Sequence, residues 1–211
     1  MTDAPLPEAD DAAVTGPPTA GWLVQSWLVL SLALVFGIGL ALMHIFLSPL
    51  IAANIRQEIE RQAPHILGVE HVELIQQEVD GRRVFAAHDP EGTLIGWVVP
   101  ASGSGFGGPI ELILGLDAQA TTLAGIYIIT QTETPGLGDF ITADGFTTRF
   151  RQQPAAVRMD TVTTPSDQPG AIQAITGATI SSQAVCTIVN DGLRLRQALN
   201  RAAREASHES E

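Results

Sequence analysis

The chain contains no lysine: all 11 of its basic residues are arginine. That absence excludes a Walker A phosphate loop, Schiff-base chemistry and a lysine general base. Cysteine is nearly absent too. A lone Cys186 leaves no internal disulfide, no CxxC redox pair, no CxxCH haem attachment and no self-contained iron–sulfur cluster. The five histidines (His44, His65, His71, His88 and His208) show no HExxH or other metal-ligand spacing. Basic charge is short overall. A net charge of -12 argues against nucleic acid, whose phosphates call for a basic surface. Difficult chemistry in this chain therefore calls for an organic cofactor.

Charge of either sign is missing from Gly21 to Ile55. Within that stretch residues 22–47 (WLVQSWLVLSLALVFGIGLALMHIFL) are apolar enough for a transmembrane helix. At about 1.5 Å per residue they span roughly 39 Å, more than the hydrocarbon thickness. A cleaved signal peptide would need a basic leader and a shorter apolar core. The leader MTDAPLPEADDAAVTGPPTA is acidic and Pro-rich, so an uncleaved anchor is the better reading. Residues 1–20 read as a disordered acidic tail, 22–47 as the span, and 48–65 as a connecting helix, whose helical stretch after Pro49 (LIAANIRQEIERQA) stops before Pro64. Residues 66–206 form the main domain, and 207–211 a tail.

That domain mixes strands and helices without a βαβ rhythm, which points to α+β. HVELIQQEV, RRVFAAH and TLIGWVVP read as a meander, parted by Asp80-Gly81 and by the Asp89–Gly92 turn. Residues 101–109 (ASGSGFGGP) read as a glycine-rich loop, and PIELILGLD and TTLAGIYIITQ as two aliphatic strands. A short helix is expected around Ile141–Phe150, a weak strand near Val157–Val162, and a helix from about Ser182 to Ala206. In the last, Val185, Ile188, Val189, Leu193 and Leu199 recur at helical spacing and mark its packed face.

Three segments carry chemistry. Gly103–Gly108 matches GxGxxG literally, but Pro109 and a strand follow it, so it is no dinucleotide fingerprint. It reads as a flexible loop, or as backbone brought close to a flat ring. Glu133, Thr134, Pro135, Gly136, Leu137 and Gly138 form a loop whose Pro-Gly pair suits a tight turn. Thr176, Gly177, Ala178, Thr179, Ile180, Ser181 and Ser182 lead into the last helix. Ser181 or Ser182 is expected to cap it, leaving free N–H groups and the positive end of the helix dipole facing Thr179. A phosphate beside Thr179 would be well placed there, although a plain N-cap box is the simpler alternative.

TGATISSQAV resembles the flavinylation motif of FMN-binding domains, in which the threonine after Gly-Ala carries FMN through a phosphoester bond. With TETPGLGD and GFGGPIELILGLD behind one N-terminal span, residues 23–199 resemble the G subunits of Rnf electron-transport complexes. The C subunit of the sodium-pumping NADH:quinone reductase is a close relative of that family. The resemblance implies an α+β FMN-binding domain behind one N-terminal transmembrane helix, with covalent FMN on Thr179. Thr176, Gly177, Ala178, Ser181 and Ser182 would shape the acceptor loop, and Glu133 to Gly138 would lie against the flavin. It implies a redox subunit of an ion-translocating ferredoxin:NAD oxidoreductase, with no independent catalysis, no catalytic residue and no metal. Its partners would be the membrane subunits of the complex and a flavin transferase for maturation. The location implied is the bacterial inner membrane, single-pass, with the C-terminal domain periplasmic. Gln173 stands where the family has an acidic residue.

Two other roles from the same chemistry stay open: the equivalent quinone-reductase subunit, or a stand-alone flavinylated carrier. From another class, a flavin-free membrane-anchored scaffold module fits if TGATISS is only a cap. Arg56 and Arg61 just beyond the span favour a cytoplasmic domain by the positive-inside rule, against the family's orientation. Cys186 reads as a small buried apolar residue rather than a redox thiol. His44, inside the span, reads as an interfacial or partner-helix contact.

Overall fold

A computed structural model describes residues 21–209, so the 1–20 tail lies outside the described residues. Contacts divide the chain after Ile51 into two units. The first is a helix, the beginning of α1 (Gly21–Leu67), with exposed apolar side chains from Trp27 to Ile51. Among the described residues α1 is the one helix long and apolar enough to cross a membrane.

The expected helix stop before Pro64 does not occur, since α1 runs to Leu67. A proline inside a helix loses one N–H bond and crowds a preceding carbonyl. At Pro64 packing overrides that cost. Ile59, Ala63 and Ile66 are buried, and Ile66 seats where a side chain at Gly115 would be: a Cβ there would lie 2.4 Å from its Cγ2.

In the second unit six strands form one antiparallel sheet in sequence order: β1 (Glu73–Val79), β2 (Arg82–His88), β3 (Leu94–Ser104), β4 (Pro109–Asp117), β5 (Thr122–Thr130) and β6 (Gln153–Pro154). Asp80 and Gly81, both at positive φ, make the two-residue β1–β2 turn. Strand alternation sorts the aliphatic residues onto two covered faces. Phe85, Val98 and Ile113 meet the end of α1, whereas Val84, Trp97, Val99, Leu112 and Leu114 meet the C-terminal helices. The segment 101–109 is not all loop. Ala101–Ser104 continue β3 and pair with β4, which narrows the turn to Gly105–Gly108.

The expected helix near 141–150 is a chain of short turns: 3-10 at Gly138–Thr142, α2 (Asp144–Thr147) and 3-10 at Thr148–Phe150. A small parallel pair follows, β7 (Asp160–Val162) with β8 (Ala171–Gln173). The Asn190 side chain binds both the N–H and the C=O of Met159, at 2.8 Å each, and so pins β7 to the next helix. That helix, α3 (Thr179–Gly192), passes through a 3-10 turn into α4 (Arg196–Glu209), which enters the 207–211 segment read as a tail. Val185, Ile188, Val189, Leu193 and Leu199 are all buried in the core, as their spacing predicts.

Candidate functional site

The helix that carries Thr179 starts three residues earlier than expected. Thr179 is its first residue and Ala178 its N-cap, with no side-chain capping bond. Ser181 and Ser182 are therefore not caps. Both are buried and turned inward. The Ser182 hydroxyl donates to Ala178 O at 2.9 Å and accepts from Ile175 N–H at 3.0 Å, tying the acceptor loop to the first helical turn. The Ser181 hydroxyl donates to Glu133 Oε2 at 2.6 Å. With no side chain supplying a cap, the first-turn N–H groups and the positive end of a 14-residue helix are left for another acceptor. Thr179 itself is exposed.

The loop after β5 is built on a tight turn that touches a second one in the acceptor loop. Thr134 O accepts from Leu137 N–H at 3.2 Å and from Gly138 N–H at 3.0 Å, with Gly136 at φ 75°. This is the turn Pro135-Gly136 predicts. In the acceptor loop Ala178 N–H donates to Ile175 O at 3.0 Å, with Gly177 at φ 83°. A Cβ on Gly177 would meet Leu137 Cδ2 at 3.4 Å, which shows how closely the turns approach.

Glu133 joins these turns to the β3–β4 hairpin. Its Oε1 accepts from the N–H groups of Phe106 (2.8 Å) and Gly107 (3.1 Å). The glycines of the GxGxxG segment make this possible, because the hairpin lies directly on the Thr132–Glu133 backbone and side chain. A Cβ on Gly105 would stand 2.0 Å from Glu133 Oε1. Gly138 is equally confined, with Glu133 Oε2 and Ser181 Oγ both 2.8 Å from where its Cβ would be.

These segments surround a cavity of about 320 Å³. Of the residues singled out from sequence, Glu133, Thr134, Leu137, Gly138, Gly177, Ala178, Thr179 and Ser181 line it. Pro135, Gly136, Thr176 and Ser182 do not; they shape the turns behind it. Phe106 and Ile180 line it too, and the sequence reading leaves both outside the site. Both are exposed, at 66% and 58%, and their place inside two glycine-bearing motifs is the signal that marks them. A larger cavity of about 770 Å³ lies against the 53–59 stretch of α1 and holds none of the predicted residues. The smaller one is the candidate site, because it combines an exposed hydroxyl, an uncapped helix start and a glycine cradle. Its volume is at the lower end for a small-molecule site.

Cys186 is buried in the core below the helix start, and burial pushes its thiol up to about 12, with the nearby Asp160 charge adding to the effect. It is a packing residue, inert as a thiolate. Among the described residues no group of His, Cys, Asp or Glu is arranged to hold a metal ion.

A cavity at an uncapped helix start, walled by a hairpin of an antiparallel sheet, is a geometry suited to a ligand that carries a phosphate. Residues 105–194 match the FMN-binding domain family model. The chain is 34% identical over 133 residues to the G subunit of an ion-translocating oxidoreductase complex of Methanosarcina acetivorans, covering 62% of this chain and 68% of that one. It is 31% identical over 159 residues to the G subunit of a proton-translocating ferredoxin:NAD(+) oxidoreductase complex of Clostridium ljungdahlii, covering 74% and 82%. The crystal structure of Shewanella oneidensis NqrC superposes with a TM-score of 0.60 at 17% identity, covering 72% of this chain and 99% of that one, and so shares the fold. The chain belongs to the G-subunit family of ion-translocating oxidoreductase complexes.

Proposed function

We propose that this protein is a membrane-anchored electron carrier whose FMN is esterified through its phosphate to the Thr179 hydroxyl. The observation that carries this reading is the position of Thr179: exposed, first in an uncapped 14-residue helix, and on the wall of a cavity that also includes the other two motifs. The first-turn N–H groups of α3 would hold the phosphate. Phe106, Leu137 and Ile180 would offer apolar surface to the ring, and Thr134 a hydroxyl. Bound FMN supplies a ring that takes up and gives back electrons, so the chain need only hold it, set its potential and limit access to it. No general acid or base is required, in keeping with a redox subunit that has no catalysis of its own.

The relatives' names support a place among the membrane subunits of an ion-translocating ferredoxin:NAD oxidoreductase. Attachment of the flavin would fall to a separate flavin transferase. We place the protein in the bacterial inner membrane, single-pass, with the flavin domain periplasmic. Arg56 and Arg61 oppose this orientation only weakly, since they are just two basic residues beside the span and partner subunits can fix orientation. A C-terminal alkaline phosphatase fusion should be active, and an inactive one would reverse the orientation. For the cofactor, denatured protein should give a fluorescent flavin band on a gel. A dark band after co-expression with a transferase would leave the flavin-free scaffold.

A further inference from the structure

Glu133 is the one buried carboxylate on the wall of the site. It is 5% exposed, and none of the salt bridges among the described residues includes it. Three donors hold it instead: the N–H groups of Phe106 and Gly107 on Oε1 and the Ser181 hydroxyl on Oε2. These donors belong to the β3–β4 hairpin and to the first turn of α3, so a single carboxylate bridges the two elements. A glutamine oxygen would serve the two backbone N–H groups as well. A carboxyl group buried without a counter-ion is costly to keep, and it leaves negative charge on the cavity wall in a medium of low dielectric.

We propose that Glu133 is the positioning residue of the acceptor site, with two separable effects. Its hydrogen bonds latch the Gly105–Gly108 turn onto the start of α3, so that the cavity and the Thr179 hydroxyl are set before any flavin arrives. Its charge, beside the cavity, opposes electron uptake by a ring held there and lowers that ring's reduction potential. The first effect stands on the structure alone. The second rests on the reading of Thr179 as the flavin acceptor.

Two substitutions divide the effects. Glu133→Gln keeps an acceptor for Phe106 and Gly107, and the Ser181 hydroxyl can turn to accept from the new amide, so the latch survives while the charge goes. Glu133→Ala removes both. The latch is tested first in full-length Thr179→Ala protein, which can take no flavin there. Amide exchange across residues 105–108 should accelerate about tenfold or more in Glu133→Ala and stay near the parent in Glu133→Gln. Unchanged exchange in Glu133→Ala overturns the latch. With Thr179 intact and a transferase co-expressed, Glu133→Ala should slow flavin attachment about tenfold and Glu133→Gln should restore it. A redox titration of Glu133→Gln should then give a higher midpoint potential than wild type. An unchanged or lower potential overturns the charge effect. If wild-type protein carries no flavin on Thr179, the charge effect falls with the function proposed above, while the exchange measurement still decides the latch.

Discussion

The Ser181 hydroxyl donates to Glu133 Oε2 across 2.6 Å, joining residues 48 apart in sequence inside the buried wall of the site. Ser181→Ala removes that donor and leaves a buried carboxylate oxygen without it. Such a loss costs more than an average hydrogen bond, because the acceptor cannot recover water. We expect a destabilisation of about 2 kcal/mol in urea unfolding. A loss below about 0.5 kcal/mol would mean that the oxygen is solvated.

Gly138 and Gly136 should respond differently to alanine. At Gly138 the added Cβ would stand 2.8 Å from Glu133 and from Ser181, whereas at Gly136 nothing lies within 4 Å. Gly138→Ala should cost about 2 kcal/mol by overpacking and lower flavin occupancy. Gly136→Ala, at φ 75°, should cost only about 1 kcal/mol of backbone strain and leave occupancy unchanged. Occupancy by intact mass and stability by urea midpoint separate the two.

Alkaline pH should destabilise the domain. Burial holds the Cys186 thiol at about 12 in the folded state against 9.0 for the free group. Tyr127 is raised above 10.0, first by burial and then by the hydrogen bond it donates to Glu58. For a folded pKa above the unfolded one, the contribution is full below the unfolded pKa and is lost as pH rises through the folded one. Stability should thus fall from pH 9 upward. At pH 10.5 the Cys186 share is about 2 kcal/mol, from roughly 1.5 pH units at about 1.36 kcal/mol each. Urea unfolding at pH 8 and 10.5 should show a shallower pH loss in Cys186→Ala than in wild type; equal slopes would contradict it.

Gln173 should be nearly as good as the family's acid. Its main chain is fixed twice, by pairing with Val162 across the β7–β8 pair and by the Arg149 guanidinium, which donates to its carbonyl. Loop geometry therefore does not depend on the side chain's charge. Gln173→Asp, co-expressed with one transferase, should be flavinylated to the same extent as wild type. A large gain in the aspartate variant would show that charge is needed for attachment.

Much of this architecture is legible in the sequence because it follows strong local rules. Alternating aliphatics and an Asp-Gly pair specify the meander, and the 3.6-residue spacing from Val185 to Leu199 specifies a packed helix face. The features that depart from expectation depend on tertiary contacts. Ser181 and Ser182 have the chemistry of caps, but their hydroxyls are claimed by Glu133 and by Ala178 and Ile175, so the helix begins at Thr179 instead. Pro64 has the chemistry of a helix stop, yet Ile66 gains more by packing over Gly115. β8 is three residues long, too short for any periodicity to show. Family resemblance implies that the Glu133–Gly138 and Thr176–Ser182 segments share one site. The Glu133 bonds that join them to the glycine hairpin are not visible in any one segment.

The flavin ester on Thr179 is tested most directly by a single digest. With no lysine in the chain, trypsin cuts only at arginine and releases residues 159–194 as one peptide. Thr176, Thr179, Ser181 and Ser182 all lie within it, so fragmentation must locate the added mass. Protein co-expressed with a transferase should carry one FMN phosphoester on that peptide, assigned to Thr179. Thr179→Ala should lose it with an unchanged melting temperature, since the side chain is exposed. A flavin mass that remains on the Thr179→Ala peptide, or an unmodified wild-type peptide, would contradict the assignment.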